Sequence, residues 1–201
     1  MKTVVIATNN AHKASEIAAA LPFESWEFKT LGEMGIASDP DETETTFEGN
    51  ARIKALAARA ASGGVAVLAD DSGLEVDALG GAPGVFSARY AGEHASDKDN
   101  NDKLLAELAE VSDEKRTARF VCTLVFIDED GSEHVARGTV EGRIGRTPRG
   151  DGGFGYDPLF WPDVFDGKKT LAEVPQNEKT AVSHRGNALR DLRSRLETVY
   201  R

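Results

Sequence analysis

The sequence predicts an α/β protein with a mixed central β-sheet and flanking helices. Three observations predict it. Apolar runs of strand length alternate with stretches of helical period through the first half of the chain. One of those runs, Val65-Ala66-Val67-Leu68-Ala69, is apolar at every position, as expected of a strand covered on both faces. In the later half two β runs, residues 118–127 and 133–142, flank the turn Asp128-Glu129-Asp130-Gly131, whose Asp-Gly pair is a hairpin signal.

The elements follow in order. Residues 2–7 read as a buried first strand. Asn10 is a candidate N-cap for a helix that carries Ala14, Ile17 and Leu21 at helical spacing. Trp26 to Lys29 read as a second strand, and residues 37–45 as a polar, acidic loop. Thr45-Thr46-Phe47-Glu48 has the form of a capping box, with Thr45 as the cap of a longer helix. Ile53, Leu56, Ala57 and Ala60 are its expected core face, with Phe47, Asn50 and Lys54 on an adjacent stripe. Gly63-Gly64 stops it. Residues 80–97 form a loop punctuated by glycine and proline, and 98–110 a helix. A glycine-rich loop at 150–155 precedes a C-terminal helix whose apolar stripe is Leu189, Leu192, Leu196 and Val199.

Composition narrows the function classes. The chain has 201 residues, 29% charged and 40% hydrophobic, the balance of a folded soluble domain. No apolar run is long enough to span a bilayer, and the one near the N-terminus is too short for a secretory signal. Cys122 is the only cysteine, which rules out an intrachain disulfide and favours a reducing, cytoplasmic compartment. The net charge of −10 speaks against a nucleic-acid partner. Arg190, Arg193 and Arg195 read as solvated helix positions.

Five segments hold residues suited to chemistry. Asp70, Asp71 and Ser72 follow the apolar third strand, where α/β proteins tend to place ligands, although Asp-Asp-Ser-Gly is also good turn chemistry. Alternation along a strand leaves one of the two aspartates facing a site. The acidic loop around Glu42 is a second carboxylate source. A magnesium site needs only one or two carboxylates plus phosphate oxygens, yet the loop also reads as simply solvated. Thr8, Asn9, Asn10 and Lys13 stand where a strand meets a helix N-terminus, either an anion site or a capped turn without the glycines of a Walker loop.

Residues 150–155 match G-x-G-x-x-G formally. The run into Tyr156-Asp157-Pro158 opposes a helix starting there, so the dinucleotide reading is rejected. The glycines still permit close backbone approach, and Phe154 and Tyr156 offer rings for stacking on a base. In the last segment Arg185 falls on the buried stripe of the final helix and needs an anionic or carbonyl partner, a core carboxylate or a ligand. His184 alone reads as a surface or capping residue.

Six motifs occur in order along the whole chain. They are Thr8-Asn9-Asn10-x-x-Lys13, Thr46-Phe47-x-x-Asn50-Ala51-x-x-Lys54, Ala69-Asp70-Asp71-Ser72-Gly73-Leu74, Gly81-Ala82-Pro83-Gly84-x-x-Ser87-Ala88-Arg89, Gly153-Phe154-Gly155-Tyr156-Asp157-Pro158 and Ser183-His184-Arg185. In these the chain resembles the inosine triphosphate pyrophosphatases, whose bacterial members are the dITP/XTP pyrophosphatases. Asn9 departs from the glycine of many members, but asparagine tolerates unusual backbone angles.

The resemblance implies two lobes around a substrate cleft and a homodimer. It implies magnesium-dependent hydrolysis of non-standard purine nucleoside triphosphates to monophosphate and pyrophosphate. Asp71 takes the family's catalytic and metal-ligating place, with Glu42 as second ligand. Lys13 and Lys54 take the phosphate-neutralising places, beside Thr8, Asn9, Asn10 and Ser72. Phe154, Gly155, Tyr156, Asp157, Lys179, His184 and Arg185 take the nucleoside and base contacts.

Overall fold

The computed structural model describes residues 1–8 and 11–200, apart from the side chains of Ala11, His12 and Asn177. Asn9 and Asn10, with the expected cap at Asn10, lie outside the described residues. Six strands form one sheet: β1 (Lys2–Ile6), β2 (Trp26–Thr30), β3 (Ala66–Val76), β4 (Thr117–Ile127), β5 (Glu133–Ile144) and β6 (Phe160–Pro162), in the order β2-β1-β3-β4-β5-β6. β1 runs parallel to β2 and to β3, while β5 and β6 are antiparallel, so the sheet is mixed. The five α-helices among the described residues are α1 (Ala11–Ala20), α2 (Phe47–Ala61), α3 (Asp97–Glu107), α4 (Gln176–Val182) and α5 (His184–Glu197).

The chain divides into two compact units. The first comprises Met1–Asp71, Cys122–Gly138 and Arg185–Arg201, the second Ser72–Val121 and Thr139–His184. In the first unit the sheet is covered on both faces. Val4, Ile6, Ala66 and Leu68 pack with Ala14 and Ile17 of α1, Ala188, Leu189, Leu192 and Leu196 of α5, and Cys122 of β4. Val5, Ala7, Val67 and Ala69 point the other way, against Ala51, Ala55 and Ala58 of α2. The period-2 alternation of β1 and β3 therefore sorts side chains between two helix layers. The hairpin signal at residues 128–131 holds: Gly131, at φ 86°, donates its N–H to Asp128 O, and Asp128 N–H donates to Ser132 O.

The second unit has its own core, in which Leu74, Val76, Phe120 and Ile144 pack with Leu104 of α3 and with Tyr156, Leu159 and Phe160. Arg116 is buried there because its guanidinium finds three carbonyls, Leu108 O at 2.6 Å and Ile144 O and Gly145 O at 2.9 Å each.

Four expectations need correction. The α2 cap is Thr46, with extended backbone and Oγ1 accepting from Gly49 N–H at 3.0 Å. The Glu48 carboxylate that suggested a box with Thr45 instead accepts from Arg52 at 2.7 Å. The buried stripe of α2 is Phe47, Asn50, Ala51, Ala55 and Ala58, not the Ile53 face, and Leu56 is 53% exposed. Alanines surround this helix, so the hydrophobic period had little contrast to read. Val199 lies beyond the end of α5 and is exposed. The third strand continues through Asp70 and Asp71 to Val76, so the two aspartates do not begin a turn.

Candidate active site

Alternation in β3 sends Asp70 and Asp71 to opposite faces of the sheet. Asp70 continues the row of Ala66 and Leu68 toward α1 and α5, and is 2% exposed. Its Oδ2 accepts from Lys13 Nζ of α1 at 2.9 Å and stands 3.6 Å from a guanidinium nitrogen of Arg185, in the first turn of α5. Arg185, 5% exposed, also donates to Glu16 Oε2 at 2.9 Å. Glu16 is three residues beyond Lys13 and so shares its helix face. Burial alone would raise the Asp70 pKa. The two cations outweigh it and hold the carboxyl below the usual aspartate range. Of the two partners the sequence left open for Arg185, the structure supplies core carboxylates.

Asp71 continues the row of Val67 and Ala69 toward α2. Its Oδ1 accepts from Lys54 Nζ at 3.0 Å, and Glu42 Oε1 lies 3.5 Å from the same nitrogen. One ammonium is thus shared by carboxylates that are far apart in sequence. Asp39, Asp41 and Glu44 of the acidic loop are exposed, whereas Glu42 is half-buried. Burial pushes the Asp71 carboxyl above its ordinary value. Lys54 opposes that rise, and Glu42 and Asp70 add to it. Lys54 loses by burial but is held above the ordinary lysine value by Asp71, Asp70 and Glu42. Asp71 Oδ2 is buried with no hydrogen-bond partner among the described residues. A buried, unpaired carboxylate oxygen is costly, and its presence asks for a ligand.

Thr8 and Ser72 are both half-buried. Thr8 follows β1, where its N–H donates to Ile6 O, and Ser72 is the residue of β3 after Asp71. Of the first-unit cluster, Glu16 had no part in what the sequence suggested, and Asp70 figured there only as one of two aspartates with no partner named. The spacing of Lys13 and Glu16 and the alternation of β3 carried the signal, but only the docking of α5 brings Arg185 to both.

The remaining candidates gather within the second unit. Lys179 of α4 donates to Asp157 Oδ2 at 2.5 Å, and its ammonium lies 5.0 Å from the centre of the Phe154 ring. The same Asp157 oxygen accepts from Phe154 N–H at 2.9 Å. Burial raises the Asp157 carboxyl against the pull of Lys179. Gly153, at φ 75°, is where a Cβ would stand 2.1 Å from Asp157 Oδ2, so the loop closes on its aspartate only through glycine. Gly155 N–H donates to Asp97 Oδ2 at 2.7 Å.

Of the two rings expected to meet a base, Phe154 is 55% exposed. Tyr156 is in the core, its hydroxyl donating to Ser87 O at 2.8 Å. His184 is buried rather than at the surface, stacked on Phe120 with ring centres 5.0 Å apart. No helix starts at the glycine-rich loop, which leads to β6, in keeping with the rejected dinucleotide reading.

Comparison with known proteins gives a consistent result. The model of the Ham1 family matches residues 4–195. A dITP/XTP pyrophosphatase of Clostridium perfringens is 46% identical, covering 99% of both chains. One from an Exiguobacterium species is 51% identical over 96% of each. The solved structure of a HAM1 protein from Coxiella burnetii superposes with a TM-score of 0.90 at 40% identity, covering 98% of this chain and all of that one. On sequence and fold together, the chain belongs to the Ham1 family.

Proposed function

We propose that this protein hydrolyses non-standard purine nucleoside triphosphates, dITP, ITP and XTP, to the monophosphate and pyrophosphate, and so clears them from the nucleotide pool. The names of its relatives supply the substrate class. The single observation that carries the chemistry is the Lys54 ammonium between Glu42 and Asp71, with the second oxygen of Asp71 buried and unpaired.

That arrangement fits magnesium. No cluster of three or more His, Cys, Asp or Glu suited to a metal occurs among the described residues. Magnesium does not need one, since it keeps waters and takes phosphate oxygens beside one or two carboxylates. Asp71 and Glu42 would hold it. When bound, the ion supplies positive charge against the triphosphate and Lewis acidity toward the attacking water.

The chain's own residues do the rest. Lys54 holds both carboxylates and places a cation at the phosphates. Lys13, fixed on Asp70, adds a second cation for the charge that develops on departing pyrophosphate. Phe154 offers an exposed ring to a base. Selectivity for these bases asks for hydrogen-bond donors aimed at the 6-keto oxygen. Adenine would leave such donors unpaired, a mismatch on the order of several kcal/mol. The reading also includes a homodimer, carried over from the family resemblance, and a cytoplasmic setting, for which the lone buried Cys122 speaks.

A nucleotide panel with magnesium tests the reaction, with pyrophosphate and orthophosphate scored separately. Pyrophosphate from dITP, ITP and XTP is expected. Orthophosphate as the direct product would mean attack at the γ-phosphorus and would overturn the proposal. Asp71→Asn should abolish most turnover while keeping the fold, because burial already disfavours the charge at that position. Near wild-type turnover in this variant would remove Asp71 from the mechanism.

A further inference from the structure

Asn50 and Gly49 belong to no function assigned so far. Asn50 is completely buried on α2, and its Oδ1 accepts the backbone N–H of Glu44 at 2.9 Å. Gly49 has no left-handed backbone to explain it, and glycine is among the poorest helix formers. Its neighbours do explain it. A Cβ there would stand 2.6 Å from Glu44 Cβ and 2.7 Å from Glu44 Cγ. The acidic loop is therefore held on the helix twice, by the Asn50 amide and by the missing side chain of Gly49. Both holds fall on Glu44, two residues after Glu42. Asn50 also lies one helical turn before Lys54, whose ammonium meets Glu42 and Asp71.

We propose that Gly49 and Asn50 form a seat for the acidic loop, and that Asn50 is a positioning residue that sets where the Glu42 carboxylate meets Lys54 and Asp71. One helix then fixes the shared cation and, through the seat, the second carboxylate at a set distance from it. The side-chain chemistry suits the task. Asparagine accepts the loop N–H without adding a third negative charge beside Glu42 and Asp71. An aspartate would accept the same bond but would bury another anion there. This proposal rests on the reading of Glu42 and Asp71 as the magnesium pair. It goes beyond that reading in naming what orients the pair.

The test is a Mn2+ titration followed by electron paramagnetic resonance, in the presence of a non-hydrolysable α,β-imido analogue of dITP. It is run on wild type, Glu42→Gln, Asn50→Ala and Gly49→Ala, with the magnesium dependence of turnover measured in parallel. All three variants should weaken metal binding by about 10–100-fold, the effect typical of losing a ligand or the partner that orients it. In Asn50→Ala and Gly49→Ala, kcat should recover at saturating magnesium, which a general loss of structure would not allow.

Gly49→Ala keeps the question answerable if Asn50→Ala folds poorly, because alanine favours the helix itself. Adding Glu44→Gly to Gly49→Ala removes the clashing atoms and should restore metal affinity. Weakened binding in Glu42→Gln, with wild-type affinity in both seat variants, would overturn the seat alone. Unchanged binding in Glu42→Gln would overturn the metal pair and the seat with it.

Discussion

Asp70 and Asp71 are adjacent in sequence and serve different helix layers. That division was legible as alternation along a strand, but the partners were not. Lys13 and Arg185 come from helices 172 positions apart in numbering, counted from 13 to 185, and no local pattern ties either to Asp70. A residue of a different kind is Asp128, at the hairpin between β4 and β5. It accepts from Lys2 Nζ at 2.5 Å and from the Tyr200 hydroxyl, and its own Oδ1 also takes the N–H of Glu129. Burial opposes its charge, but these donors hold the carboxyl below the ordinary aspartate value. A depressed folded-state pKa contributes stability that is present above the unfolded pKa and fades as pH falls through the folded one. Asp128→Asn should therefore cost about 1.5–3 kcal/mol at neutral pH, the range for hydrogen bonds to a charged group. The gap to wild type should close as pH drops below about 4, where the unfolded aspartate takes up its proton. Chemical denaturation at several pH values measures both, and a gap that stays constant with pH would refute the assignment.

At the scale of elements, α2 shows what sequence can and cannot disclose. Its start within one residue and its stop at Gly63-Gly64 were readable from capping chemistry and glycine. Its buried face was not, because alanine is compatible with burial or exposure and dominates the helix. The small face has a physical reason. Ala51, Ala55 and Ala58 lie against Val5, Ala7, Val67 and Ala69, so the helix axis can approach the sheet closely, and Lys54 reaches the Asp71 carboxylate. The cap itself is testable. Thr46→Ala leaves Gly49 N–H without its acceptor and should cost about 1 kcal/mol in chemical denaturation. Thr45→Ala should cost nothing measurable, and the opposite ranking would restore the capping box that the sequence suggested. The short elements α4 and β6 escaped notice for a different reason. Neither is long enough to display a period, and both are set by tertiary contacts.

For the whole molecule, the fold class was legible because each strand signal was strong where burial is two-sided. The pairing order β2-β1-β3-β4-β5-β6 was not, since order depends on crossovers that composition does not record. The six ordered motifs conveyed far more about the reaction than any one of them did alone. Among the described residues no helix is long and apolar enough to cross a membrane, as the absence of a long apolar run implied. One further property follows from Cys122. Its thiol sits at 0% exposure in the first unit's core, and burial, with Asp70 adding to it, pushes its pKa up to about 12. Only the thiolate reacts with alkylating reagents, so the native protein should resist iodoacetamide at pH 8 while the denatured chain is labelled readily. Mass spectrometry of timed aliquots would then count how often the interior breathes. A tightly bound nucleotide should slow that clock, and fast labelling of the native protein would mean the thiol is not sealed. The chain thus carries a built-in stopwatch for its own opening, requiring no added dye or engineered label.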